Sequence, residues 1–232
     1  MFQTFKRAFP SVTIVSEEKD SSDAQVPISD PPSANQEVDS KHMGSEFVDP
    51  SDVTVWIDPL DATREYTQKL LQYVTTMVCV AVDGKPVIGI IHKPFEHKTY
   101  WSWVGHGSNI VSKSNDDITK IIVSLSHKGD VEQVAKKAFG NAEVIGAGGA
   151  GYKSLALFDG TASVYVHTTR IKKWDICAGN AILRHAAGHM TTLTGSDIDY
   201  SSRGSPLNDN GLVASIHNHA DYLKKLKFAG DN

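Results

Sequence analysis

Asp58 and Asp61 stand three residues apart in the run Trp56-Ile57-Asp58-Pro59-Leu60-Asp61-Ala62-Thr63, with a proline between them and a hydroxyl behind them. Pro59 fixes its own φ and biases Asp58 toward an extended backbone, so the apolar run is expected to be a strand that ends here and turns sharply. Both carboxylates of such a turn can face one point. Two hard oxygen anions, with the Leu60 carbonyl between them, suit Mg2+ or a similar cation. The same spacing also serves as an Asx turn capping a helix, which needs no metal. Asp175, in Lys172-Lys173-Trp174-Asp175-Ile176-Cys177-Ala178, precedes small and apolar residues at helical spacing and reads as an N-terminal helix residue. Further upstream, Ser16-Glu17-Glu18 closes the apolar stretch Val12-Thr13-Ile14-Val15. Adjacent strand residues point to opposite faces, so only one glutamate can face a site; Glu17 is preferred and Glu18 is kept as its support.

These residues need a scaffold, and the apolar periodicity supplies one. Two β-branched runs at 74–82 and 87–92 flank Asp83-Gly84, a hairpin signal, and are expected to pair antiparallel. Further strands are expected at 98–104, 120–125, 162–168, 189–193 and 212–216. Helices are expected at 131–139, where residues 131, 134, 135, 138 and 139 form one apolar face, and at 152–158, 175–187 and 219–227. Gly146, Gly148, Gly149 and Gly151 precede the second of these, and Gly188 is expected to stop the third. Residues 19–52 are rich in Ser, Asp and Pro without apolar periodicity and read as a loop insertion.

At 232 residues, 40% hydrophobic and 22% charged, the chain can bury a full core in one domain or two packed halves. A net charge of −4 argues against a general nucleic-acid or anionic-membrane binder, so no nucleic-acid partner is expected; affinity for a phosphorylated small molecule must come from local cations and metal. No apolar run approaches the roughly 18 to 20 residues that span a bilayer, and Met1 to Arg7 is too short and mixed for a signal peptide. Cys79 and Cys177 have no framework spacing; they give no evidence of a disulfide and leave oxidising and reducing compartments both open.

The three acidic motifs, in this order, resemble those of the inositol monophosphatase superfamily, and the segments Tyr73 to Val82, Gly89 to Phe95 and Ile171 to Asp175 resemble its nucleotide-directed, Golgi-resident branch. The resemblance implies an α/β fold, a layered αβαβα sandwich with its first helical layer incomplete. Residues 1–120 would form an N-terminal α+β half and residues 121–232 a C-terminal α/β half. It implies a lithium-sensitive phosphatase holding two or three Mg2+ ions and releasing the 3′-phosphate of 3′-phosphoadenosine 5′-phosphate. Glu17, Asp58, the Leu60 carbonyl and Asp61 would hold one ion; Asp58, Asp61 and Asp175 a second. Ala62 and Thr63 would offer backbone N–H groups to the phosphate, and the Thr63 hydroxyl would orient the attacking water. His127 would stand beside the adenine, with Ser126 in the same substrate-binding segment. Lys153 would contact phosphate, and His167 would stand where some nucleotide phosphatases place an arginine. The alternatives are an inositol phosphate phosphatase, or a shortened homologue of impaired activity, since no residue here takes the role of the acidic side chain that the superfamily places upstream of the glutamate pair. The branch faces the Golgi lumen behind a signal-anchor, which this chain is read as lacking, and family members often form homodimers.

Overall fold

The computed structural model describes residues 1–18, 46–113, 119–125, 130–140 and 142–230. Helix α1 (Phe2–Ala8) leads into β1 (Thr13–Ser16). That strand opens a sheet whose neighbours follow chain order: β1, β2 (Val53–Asp61), β3 (Thr75–Val82), β4 (Lys85–Lys93), β5 (Lys98–Trp103) and β6 (Gly107–Ser108). All pairs are antiparallel except β1 with β2. The expected hairpin is present, its turn made by Asp83 and Gly84 at φ 48° and 71°. Short α2 (Thr63–Thr67) hangs between β2 and β3.

A second sheet takes β7 (Lys120–Ser124), β8 (Glu143–Ala147), β9 (Val164–His167), β11 (His189–Thr191) and β13 (Leu212–Ser215), in the order β11-β13-β9-β7-β8. A two-stranded ribbon pairs β10 (Ile171–Lys172) with β12 (Leu207–Asn208). Helices α4 (Ala150–Leu155) and α5 (Lys173–His185) fill the space between the sheets, and α3 (Val131–Phe139) and α6 (His219–Gly230) cover the outer face of the second. The layers therefore run α, β, α, β, α. Helix α5 is buried along most of its length because it serves both sheets: Ile176, Cys177, Ala178, Ala181, Ile182 and Leu183 are fully enclosed. Its small residues set the approach distance, since a Cβ on Gly89 of β4 would collide with the Ala178 carbonyl.

Several boundaries differ from the sequence expectation, each for a local reason. The strand does not end at Pro59 but runs to Asp61. On one side β1 has already stopped opposite Ile57, and on the other the register with β3 shifts between Asp58 and Asp61, so the missing N–H interrupts no ladder. The glycine-rich segment holds strand β8 and the first turn of α4, which starts at Ala150, not 152. Helix α5 starts two residues before Asp175. It ends at His185, and the left-handed residue after it is Ala187 (φ 57°), not Gly188. Gly188 is needed for another reason: a Cβ there would sit 2.9 Å from the Ser215 carbonyl oxygen. Finally, Cys79 of β3 and Cys177 of α5 form a disulfide across 98 residues, their Cα atoms 5.7 Å apart. Spacing could not show it, because the pairing depends on a helix from the far end of the chain lying on this sheet.

Candidate active site

Strand β2 carries Asp58 to the end of the first sheet, where the bulge turns the backbone. The turn is held from within and from β3. Leu60 N–H donates to Asp58 Oδ1 (3.1 Å), Thr63 Oγ1 donates to the Leu60 carbonyl (3.0 Å), and Thr76 Oγ1 donates to the Pro59 carbonyl (2.9 Å). Ala62 adopts φ 66°, a left-handed conformation that a Cβ disfavours and that sends the chain directly into α2. Thr63 is exposed and spends its proton on Leu60, which leaves its oxygen lone pairs to accept a hydrogen bond from water.

One cavity of about 570 Å3 gathers Glu17, Asp58, Leu60, Asp61, Ala62, Thr63, Lys153, His167 and Asp175, nine positions singled out from the sequence. Glu18 is not among the residues that line this cavity. Ser126 and His127 lie outside the described residues. The cavity also takes in residues that the sequence reading passed over: Arg64 and Glu65 of α2, Ser124 closing β7, Tyr165 of β9, and Arg170 and Lys172 around β10. Lys172 flanks the Asp175 motif, and only the β10–β12 ribbon turns its face toward the carboxylates. Arg170 has no sequence signal, standing in a polar connection between two short strands.

The electrostatics are those of crowded acids. Burial, then the neighbouring Asp61, Asp175 and Glu17, push the Asp58 carboxyl up to about 10. Burial holds Asp175 well above the usual carboxylate range. Asp61 is also raised by burial, against the opposing pull of Lys153 and of hydrogen bonds from the Gly151 and Ala150 amides and Thr75. Glu17 is raised by burial of its carboxyl where it meets Asp58. Lys153 is enclosed, donates to the Gly149 carbonyl (2.6 Å) and lies 5.3 Å from the Tyr165 ring centroid. Burial brings its ammonium down to about 8, with Asp61, Glu65 and Asp175 acting in its favour. The Tyr165 hydroxyl is fully buried with no hydrogen-bond partner among the described residues, and Tyr165 lines this cavity. An orphaned phenol beside raised carboxylates marks a site that something else completes.

The acidic donors are all hard oxygens, the set that Mg2+ prefers over softer metals. Among the described residues no three acidic, histidine or cysteine side chains are drawn together as a ready-made cage. Mg2+ needs none, because it keeps several waters and takes one or two carboxylates with substrate oxygens.

The inositol monophosphatase family model matches residues 1–230. This chain belongs to the inositol monophosphatase family. It is 52% identical over 241 residues to the Golgi-resident adenosine 3′,5′-bisphosphate 3′-phosphatase of Homo sapiens, covering 97% of this chain and 65% of that protein. It is 50% identical over 236 residues to inositol monophosphatase 3 of Xenopus laevis, covering 97% and 67%. The chain thus spans about two thirds of the length of the curated relatives it matches. Inositol monophosphatase-II from Staphylococcus aureus MSSA476 superposes with a TM-score of 0.71 at 17% identity over 99% of this chain and 82% of that one, which establishes the inositol monophosphatase fold. In this chain the expected carboxylates fall where the two sheets and α5 meet.

Proposed function

We propose that this chain is a Mg2+-dependent phosphomonoesterase that hydrolyses the 3′-phosphate ester of adenosine 3′,5′-bisphosphate to AMP and phosphate. The observation that carries the reading is the double character of one cavity. Its wall holds carboxylates from β2, α5 and the end of β1 together with the cations Arg64, Lys153, Arg170 and Lys172. A bisphosphate needs two anion-holding features, one for the reacting phosphate and one for the second, and a monophosphate needs only one. The printed names of relatives near 50% identity support the same substrate.

Glu17, Asp58, Asp61, Asp175 and the Leu60 carbonyl would hold Mg2+, which when bound would neutralise phosphate charge and activate a water. Lys153 then supplies fixed positive charge at the phosphate from a buried and preorganised position. The Thr63 oxygen would accept a hydrogen bond from the attacking water, orienting it toward phosphorus. His167 and Arg170 face the second phosphate, with Lys172 at the exposed edge. Inhibition by Li+ and residence in the Golgi lumen belong to the same proposal. The residence of the named relatives supports the second, as does the Cys79–Cys177 disulfide, which an oxidising compartment preserves.

The second reading, an inositol monophosphatase, is favoured by the names of relatives such as the Xenopus protein at comparable identity. Phosphate release from adenosine 3′,5′-bisphosphate and from an inositol monophosphate, each with saturating Mg2+, separates the two. The cations facing the second phosphate should favour the nucleotide by about 10- to 100-fold in kcat/KM, the value of one charged hydrogen bond. Equal efficiencies would support the inositol reading.

A further inference from the structure

Three elements converge on one oxygen atom of the metal turn. Asp61 closes β2 directly opposite Thr75, the first residue of β3. Its Oδ2 accepts from Thr75 Oγ1 at 3.0 Å and from the Gly151 N–H of α4 at 2.8 Å. Thr75 is fully buried, so its hydroxyl must find a partner inside the protein, and the partner it finds is this carboxylate. The approach is close enough to exclude other residues at 151, where a Cβ would collide with Thr75 Oγ1 and lie 2.9 Å from Met77 Sδ. The glycine is therefore what lets the α4 backbone reach Asp61.

We infer that Thr75 is a positioning residue for the metal site: together with the Gly151 and Ala150 amides it engages the Asp61 carboxylate and fixes its plane for a cation. The inference rests on the Mg2+ reading above. Two donors on one oxygen favour the ionised carboxylate and stop it from rotating, and the geometry of a metal site depends on such outer contacts as well as on the ligands. Thr76 provides an internal comparison. Its hydroxyl braces the same turn through the Pro59 carbonyl and touches no carboxylate.

The test measures Mn2+ binding to the full chain by calorimetry and by loss of the free-ion paramagnetic resonance signal, alongside the Mg2+ dependence of phosphate release. Thr75→Val should weaken Mn2+ binding by about 10- to 100-fold and raise the Mg2+ concentration needed for half-maximal rate, with a smaller effect on the rate at saturation. Thr75→Ser, which keeps the hydroxyl, should restore binding to within about threefold. Wild-type affinity in Thr75→Val overturns the inference, and so does an equal loss in Thr76→Val, which would show that general bracing of the turn suffices. Near-ultraviolet circular dichroism checks that each variant folds. If Thr75→Val and Thr75→Ala both fail to fold, Thr75 is a folding residue and the inference falls. A wild-type chain that binds no Mn2+ removes the metal reading itself.

Discussion

Asp58 decides how the site answers to pH. In the absence of metal its carboxyl is raised to about 10, and Asp61, Asp175 and Glu17 are raised with it, so between about pH 4 and about 10 the native cluster holds more protons than the unfolded chain. By linkage, the stability that the cluster contributes is full below the unfolded values and is lost as pH rises through the folded ones. Mg2+ binding by these carboxylates, as proposed, would require the deprotonated forms, so it should release protons and strengthen with pH. The metal-free melting temperature should fall from about pH 5.5 to about 8.5 while the increment produced by Mg2+ grows; an increment that shrinks as pH rises would contradict this account. Lys153 runs the other way. Its folded value near 8 lies below the ordinary lysine range, so the native state holds fewer protons above about pH 8 and this group opposes the acids there. The same protonation makes Asp58→Asn a clean probe, because an amide is close in shape to the neutral carboxyl of the metal-free protein. That variant should melt within about 1 kcal/mol of wild type in EDTA, gain nothing from Mg2+, and release phosphate slower by about a thousandfold or more.

The connections that deliver these side chains were less legible than the side chains themselves. Asp58, Asp61 and Asp175 could be found because each sits in a short local pattern, and the β3–β4 hairpin because Asp83-Gly84 signals its own turn. Arg170 and Lys172 could not, since their direction depends on β10 pairing with β12 some 36 positions later, a ribbon of two residues a side with no periodicity to read. The end of β2 was not legible because Pro59 forbids a ladder bond only where a neighbouring strand asks for one, and β1 has already stopped. The glycine cluster was legible as a turn but not as the surface that meets the Asp58–Asp61 turn. Gly149 has φ 65°, and a Cβ there would stand 2.5 Å from the Tyr73 carbonyl oxygen and 3.1 Å from Asp61 Oδ2. Gly149→Ala should therefore lose about 1 to 3 kcal/mol of stability through strain, and lose metal affinity as well because the displaced loop carries the Gly151 amide. Chemical denaturation and Mn2+ titration of the same sample check both; loss of stability with unchanged affinity would uncouple the loop from the site.

At the scale of the whole molecule, the proposed site draws on two parts of the chain that only tertiary structure brings together. The strand carrying Asp58 and Asp61 belongs to the first sheet, and Asp175 arrives on a helix from beyond residue 170. The Cys79–Cys177 disulfide joins these parts beside the site: Cys79 lies opposite Trp56 in the β2–β3 ladder, two positions from Asp58, and Cys177 follows Asp175 by two residues. Two effects follow from one bond. Closing a loop of this length restricts the unfolded chain and is worth about 4 to 5 kcal/mol on the chain-entropy account. In the folded state the bond limits how far α5 can slide along β3, against the mutual repulsion of carboxylates that metal-free ionisation would impose. Reduction should lower stability by an amount of that order and also weaken Mn2+ binding under conditions where the reduced chain remains folded, as judged by its near-ultraviolet spectrum. Cys79→Ala/Cys177→Ala should reproduce both effects and be insensitive to reductant. If the reduced chain keeps its metal affinity, packing of Ile176, Ala178 and Ile182 between the sheets holds Asp175 in place without the bond, and the disulfide acts on the unfolded state alone.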